Sequence, residues 1–247
     1  MALKVFAVAG IMPVPPRAKS WSARLKKLAM LLFGATLAPV LLLRWLPPPT
    51  TAYMLRSQCQ AAWEGRSDFR LRYRWVGWDD IARSAALAVV ASEDQRFASH
   101  FGFDFGAIAK AIGSNRHGHA VHGASTISQQ TAKNLFLVPA RSYWRKGLEA
   151  YLTVLLELFW PKQRILEVYL NVAQFGDGIF GVEAASRYYF RKPAALLSAR
   201  EAALLAATLP NPLVMRADHA SPYVLRRQAW ILQQMRRLGA VALGAES

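Results

Sequence analysis

Cysteine is almost absent. Cys59 stands alone among 247 residues, so no intrachain disulfide can form, and the redox compartment stays open. Acidic residues are scarce too, 15 against 31 lysines and arginines, for a formal net charge of +16. Such a balance favours an anionic partner: nucleic acid, anionic lipid or a phosphorylated substrate. Charged residues of both signs amount to only 19%, against 53% hydrophobic, which is too apolar for a disordered chain. No internal repeat and no zinc-ligand spacing occurs, which argues against repeat architectures and structural zinc sites. The length suits one domain with its own core plus an appendage.

The N-terminal region has no acid at all, and the first acidic residue is Glu64. What it has is the run LAMLLFGATLAPVLLLRWL, residues 28–46, uncharged from Leu28 to Leu43. The run approaches the ~20 residues of a bilayer span; Arg44 can snorkel and Trp45 suits an interface. Pro39 is tolerable inside a membrane helix. The stretch Trp45-Leu46-Pro47-Pro48-Pro49 lacks a small-x-small cleavage pattern, so an uncleaved anchor is expected rather than a signal peptide. Arg17, Lys19, Arg24, Lys26 and Lys27 precede the span and place the N-terminus in the cytoplasm, with the remainder periplasmic in a bacterial cell. A basic domain tethered there meets lipid headgroups and lipid-linked phosphates rather than nucleic acid. The expected organisation is a basic tail over 1–27, a span over 28–46, a linker or arm over 47–70, a domain over 71–239 and a tail over 240–247.

Beyond the span the chain reads as all-α, apart from a short strand or extended arm over Leu71–Val76. Asp79 or Asp80 can cap a helix from Ile81 to about Glu93, and Asp104 a second one stopped by Gly113. Residues 114–123, SNRHGHAVHG, lack an apolar period and read as a mobile loop. Thr126 and Gln129 form a capping-box pattern, as do Ser198 and Glu201. Trp144, Leu148, Tyr151, Leu155 and Phe159 recur every three or four residues, which predicts a long core helix over 142–159. Pro161 opens a helix reaching Phe175, and Ser221 with Pro222 opens a last one closed by Gly239.

Four stretches can carry chemistry. In SEDQRFASHFGFD, residues 92–104, Glu93 ends an apolar helix at what reads as the rim of a cleft, where a carboxylate can act as general acid or base. His100 shares its face if the helix continues; a solvated helix end with surface charges Asp94 and Arg96 is the plainer alternative. In HGASTISQQTAKN, residues 122–134, a glycine turn with Ser125 and Thr126 at a helix start offers an anion seat, though a solvent-facing cap uses the same residues. Gln129, Gln130 and Lys133 crowd one face there. In VPARSYWRKGLEAYL, Arg141, Arg145 and Lys146 precede Glu149, and the cluster can hold a pyrophosphate. An i,i+4 salt bridge from Arg145 to Glu149 explains part of it equally well. In ILEVYLNVAQFGDGIFGVEAASRYYF, residues 165–190, Asn171 can bond backbone or sugar hydroxyls, while the periodicity alone reads as core.

Together, in this order, EDQRFASHFGFD, GASTISQQTAKNLFL, RKGLE and ILEVYLNVAQFGDGIFGVEAASRYYF resemble the peptidoglycan glycosyltransferases. These form the lysozyme-like domain of bifunctional penicillin-binding proteins and of small monofunctional enzymes. The resemblance spans about 80–215, with no transpeptidase domain following. Ala124 stands where the second glycine of the family's GGST is usual, and Ser128 replaces its second threonine. The resemblance implies a lysozyme-like two-lobed domain that polymerises lipid II into β-1,4 glycan strands with inversion, releasing undecaprenyl pyrophosphate. It implies Glu93 as catalytic base and Glu149 as the second glutamate. Gln130, Lys133, Arg141 and Lys146 would contact the donor's phosphates and sugars, with Asp94 and Ser125 supporting. His100, Thr126, Gln129, Arg145 and Asn171 complete the expected substrate site. It further implies a lobe over about 102–123 that dips into the membrane, with Phe101, Phe103, Phe105 and Ile108 as its apolar residues. No cofactor is required by the sequence, although family members often respond to Mg2+ or Mn2+. Expected partners are lipid II, the growing lipid-linked chain, membrane lipids and division or cell-wall synthesis proteins, at the bacterial inner membrane. Lytic transglycosylases and lysozyme-like hydrolases share a catalytic glutamate, but have no use for a pyrophosphate clamp.

Overall fold

The computed structural model describes residues 19–115, 125–139 and 142–239. Two compact units divide the chain, residues 1–39 and 40–247. Helix α1, Lys19–Leu43, carries Pro39 inside it, and its stretch Ala23–Leu43 has a mean hydropathy of 1.7 with almost no burial. Length and composition suit a membrane span. Its last residues, Val40–Leu43, belong to the second unit, and side chains of that same unit meet the carbonyls there that have no helical partner. Trp160 Nε1 donates to Val40 O (2.8 Å), and Arg164 Nη2 donates to Leu43 O (2.8 Å) and Leu46 O (2.7 Å).

The segment expected as a linker, 47–70, instead carries helix α2, Ala52–Trp63. Thr51 is its N-cap, accepting from Met54 N (3.2 Å), and Met54 and Ala61 are buried. The strand expected over Leu71–Val76 shrinks to β1, Arg72–Tyr73. It pairs in parallel with β3, Ile179–Phe180, which pairs antiparallel with β2, Gln174–Gly176. Asp79 and Asp80 lie in a 3-10 turn, Trp78–Asp80, and cap nothing beyond it. Helix α3, Arg83–Glu93, starts after Ala82 without a side-chain cap.

Helix α4, Phe105–Asn115, runs through Gly113 rather than stopping there, and Asp104 Oδ1 accepts from Ala107 N (2.9 Å) at its start. Most of the expected loop over 114–123 lies outside the described residues. Helix α5 is Ile127–Phe136 and α6 is Tyr143–Phe159. The core face expected for α6 holds only in its second half. Trp144 is 91% exposed and Leu148 is exposed, whereas Glu149, Leu152, Thr153, Leu155 and Leu156 are buried. Helix α7, Lys162–Val172, ends three residues short of Phe175, because Gln174–Gly176 is taken by the sheet. Helix α8 is Val182–Phe190, α9 is Ala199–Thr208 with the Ser198–Glu201 capping box, and α10 is Pro222–Leu238 capped by Ser221. All-α is therefore the class, with a three-stranded remnant sheet.

Two packing groups matter for the site. Alanine-rich α3 lies against α9 and α10, and α5 lies against α2, α6 and α7. Ala88, Val90 and Ala91 are fully buried in the first group, and small residues let the helix backbones approach closely. The two groups meet through α3 and α7, which bring the end of α3 beside the start of α5.

Candidate active site

Glu93 is the last residue of α3, and its side chain is 14% exposed, which places it at a rim rather than in open solvent. Ser92 Oγ (3.0 Å) and Arg227 Nη2 (3.3 Å) donate to its Oε1, and Gln130 Nε2 donates to its Oε2 (3.0 Å). Gln130 is itself oriented. The Tyr169 hydroxyl donates to its Oε1 (3.1 Å), so its amide nitrogen must face Glu93. Full burial holds the Tyr169 phenol well above its usual range, reinforced by the charges of Glu93 and Asp94. It therefore remains a donor.

Neither Arg227 nor Tyr169 is among the residues the sequence singled out. Arg227 lies in the arginine-rich face of α10, 134 residues from Glu93, and its Nε is buried without a partner among the described residues. Tyr169 reads as one more apolar residue of α7. No local signal distinguishes either, because each acts across a helix–helix contact.

Lys133 lies one turn along α5 from Gln130. Desolvation depresses its pKa; Glu149 and Glu93 oppose this by favouring the charge, while Arg145 and Lys146 add to the depression. One ammonium thus feels both glutamates. Glu149, with its side chain only 3% exposed, receives Arg145 Nη1 (2.9 Å) and Lys146 Nζ from the preceding turn of α6. The i,i+4 pair anticipated as the plain alternative is present. Lys146 adds a second cation to that buried carboxylate, and α5, which carries Lys133, packs on the same helix, an arrangement that supports anion binding when the acid is tied down.

Several expected substrate contacts turn inward instead. Helix α3 stops at Glu93, so His100 does not share its face; His100 Nε2 meets Asp94 Oδ1 (2.8 Å) and Oδ2 (2.9 Å). Asp94 Oδ2 also accepts from Ile127 N (3.0 Å), so a protein carboxylate already takes a backbone donor at the start of α5. The anion seat expected there is thereby occupied from within. Thr126 and Gln129 are buried in their capping box: Gln129 N donates to Thr126 Oγ1 (3.2 Å), and Thr126 N to Gln129 Oε1 (3.0 Å). The Thr126 hydroxyl donates to Gly102 O (2.7 Å). Asn171 is fully buried and clamps Val76, accepting from its N–H (3.0 Å) and donating to its C=O (3.0 Å). Its remaining N–H goes to Glu167 O (2.9 Å). Its side chain thereby ties the segment after β1 to α7. Ser125 is half-buried beside the site, its carbonyl 3.4 Å from Gln130 Nε2. Arg141 lies outside the described residues.

Among the described residues no three of His, Cys, Asp and Glu gather as a cage. Glu93, Asp94 and Glu149 each already face cationic or N–H donors.

A rim carboxylate oriented by an amide and a guanidinium, beside a cationic pocket on a helical scaffold, can accept a proton next to groups that stabilise developing negative charge, as an acid–base transferase requires. The family model described as Transglycosylase matches residues 63–236. The chain belongs to this family and is a peptidoglycan glycosyltransferase. It is similar to proteins named biosynthetic peptidoglycan transglycosylase. One from Haemophilus influenzae is 50% identical over 222 residues, covering 90% of each chain. Another, from Cronobacter sakazakii, is 51% identical over 227 residues, covering 90% of this chain and 94% of the relative. A third, from Pasteurella multocida, is 53% identical over 203 residues, covering 82% of each.

Proposed function

We propose that the enzyme polymerises lipid II by inverting transfer. The 4-hydroxyl of an incoming lipid II attacks the anomeric carbon of the lipid-linked donor strand. A carbon–oxygen bond forms as the bond to pyrophosphate breaks, and that electron pair leaves on undecaprenyl pyrophosphate. Glu93 takes the hydroxyl proton. Gln130 and Arg227 fix the carboxylate, one on each oxygen, so that a remaining lone pair can face the acceptor. Lys133, Arg145 and Lys146, joined by Arg141, receive the diphosphate charge that develops on the leaving group, with Glu149 holding them in register. The observation that carries this reading is a rim glutamate held by Gln130 and Arg227, with Lys133 one turn further along α5, the helix that packs on α6 and its Arg145–Lys146–Glu149 cluster.

The apolar stretch that begins at Leu28 serves as a single-pass anchor in the inner membrane, with a cytoplasmic N-terminus and a periplasmic domain. Exposed Phe101 and Phe105 suit contact with membrane lipids, at the height of the substrate's headgroup. Division or cell-wall synthesis proteins are the partners expected of such an enzyme, and nucleic acid is not. Any Mg2+ or Mn2+ effect would act through the substrate's diphosphate, and titration with EDTA reads it.

Radiolabelled lipid II in detergent, resolved by gel, tests the reaction. Wild type should yield polymer and undecaprenyl pyrophosphate. Glu93→Gln should lose at least ~10²-fold in rate while lipid II binding survives. Polymer formation by Glu93→Gln at the wild-type rate would remove Glu93 from the role of base.

A further inference from the structure

A second cavity, of about 280 Å³, opens between α2, the β2–β3 turn and the Pro210–Leu213 turn. Its lining is mostly polar and includes Tyr53, Arg56, Gln60, Arg66, Asp177 and Asn211. Arg66 is already neutralised, because its guanidinium grips Asp177 through both terminal nitrogens. Arg56 is exposed and has no hydrogen bond, ion pair or ring contact among the described residues. The side-chain amide of Asn211 likewise lacks a partner among them. One guanidinium and one amide thus remain to address a ligand.

The cavity adjoins the reaction site through a single side chain. Lys133 Nζ lies 5.9 Å from the centroid of the Tyr53 ring, and the same ring lines the cavity. The cavity thus lies one side chain away from the cationic pocket. Peptidoglycan strands carry short peptides on alternating sugars, and those stems present amides and free carboxylates. A guanidinium is the side chain best matched to a carboxylate, and a carboxamide can pair with a peptide group. Sugar hydroxyls alone would leave Arg56 without a matching charge.

We propose that this α2-walled cavity holds a peptide stem of the strand being elongated, with Arg56 reading a stem carboxylate and Asn211 a stem amide. The proposal rests on the reading of the chain as a glycan polymerase, and it adds a contact outside the reacting atoms. Holding a stem would keep the strand on the enzyme between transfers.

The test uses full-length Glu93→Gln protein in detergent, so that no turnover consumes the probe. Fluorescent lipid-free tetrasaccharides, with their peptide stems or stripped of them by amidase, are titrated by anisotropy. The stem-bearing probe should bind more tightly. Adding Arg56→Glu should weaken that probe roughly tenfold and leave the stripped probe nearly unmoved, while Arg56→Lys should recover part of the loss. Arg56 is exposed, and circular dichroism checks that each variant is folded. Equal affinity for the two probes, or equal weakening of both by Arg56→Glu, would overturn the assignment. In that case a wild type that still polymerises lipid II leaves the proposed function standing. A wild type that makes no strands from lipid II removes both.

Discussion

At the scale of single residues, the site depends on how few groups orient Glu93. Gln130 could present either end of its amide, and the buried Tyr169 hydroxyl decides which. Tyr169→Phe should therefore lower kcat about fivefold with little change in KM, the effect of losing one hydrogen bond of about 1 kcal/mol. Steady-state kinetics on lipid II checks this. Lys133 sets a pH dependence. Its depressed pKa means that the free enzyme loses this charge at a lower pH than an ordinary lysine would. The alkaline limb of kcat/KM should accordingly fall below the usual lysine range, and Lys133→Arg should move it upward. Activity is expected to drop as pH rises, because the deprotonated amine no longer receives diphosphate charge. Glu93, Gln130 and Lys133 are legible in the sequence because two short motifs carry them. Arg227 and Tyr169 are not, since their partners come from other helices.

Among the secondary elements, the start of α5 carries much of the precision. Its capping box, the Asp94 bond to Ile127 N and the Thr126 bond to Gly102 O fix the helix on which Gln130 and Lys133 ride. Thr126→Ala should cost about 1 kcal/mol or somewhat more in a denaturant titration. Gly102 has φ +76°, and a Cβ there would meet Thr153 Cγ2 at 2.9 Å and Glu157 Cγ at 3.1 Å. That glycine is required both by its backbone and by its neighbours. Asn171→Ala would leave the half-buried N–H and C=O of Val76 without their side-chain partner, at a cost of about 1–3 kcal/mol read from thermal or chemical unfolding. The capping boxes of α5 and α9 are visible in the sequence as Thr-x-x-Gln and Ser-x-x-Glu. The capless start of α3 is not visible, because burial against α9 and α10 replaces the cap as the source of helix stability.

For the whole molecule, the anchor and the lone cysteine give a direct test of placement. Cys59 is exposed on α2. A membrane-impermeant maleimide added to spheroplasts should label it if the second unit is periplasmic, and labelling only after lysis would reverse the orientation. Deleting residues 1–39 should shift the protein from the membrane to the soluble fraction. That cut spares Val40, which is buried and whose carbonyl accepts from Trp160. Fractionation and immunoblotting read the outcome.

Composition, hydrophobic period and the spacing of a few motifs determined by themselves that the chain is helical, that an apolar stretch fit to span a bilayer precedes its domain, and that the scarce acids Glu93 and Glu149 sit in motifs rich in polar and cationic residues. These are local properties, written in neighbours along the chain. Tertiary structure alone decided which polar side chains face the cleft and which are consumed by the fold. Thr126, Gln129, Asn171 and His100 go inward because buried donors and acceptors must be paired, and the partners come from distant segments. Arg227 turns toward Glu93 for the converse reason: α10 packs on α3, and the guanidinium finds its carboxylate only once that contact exists.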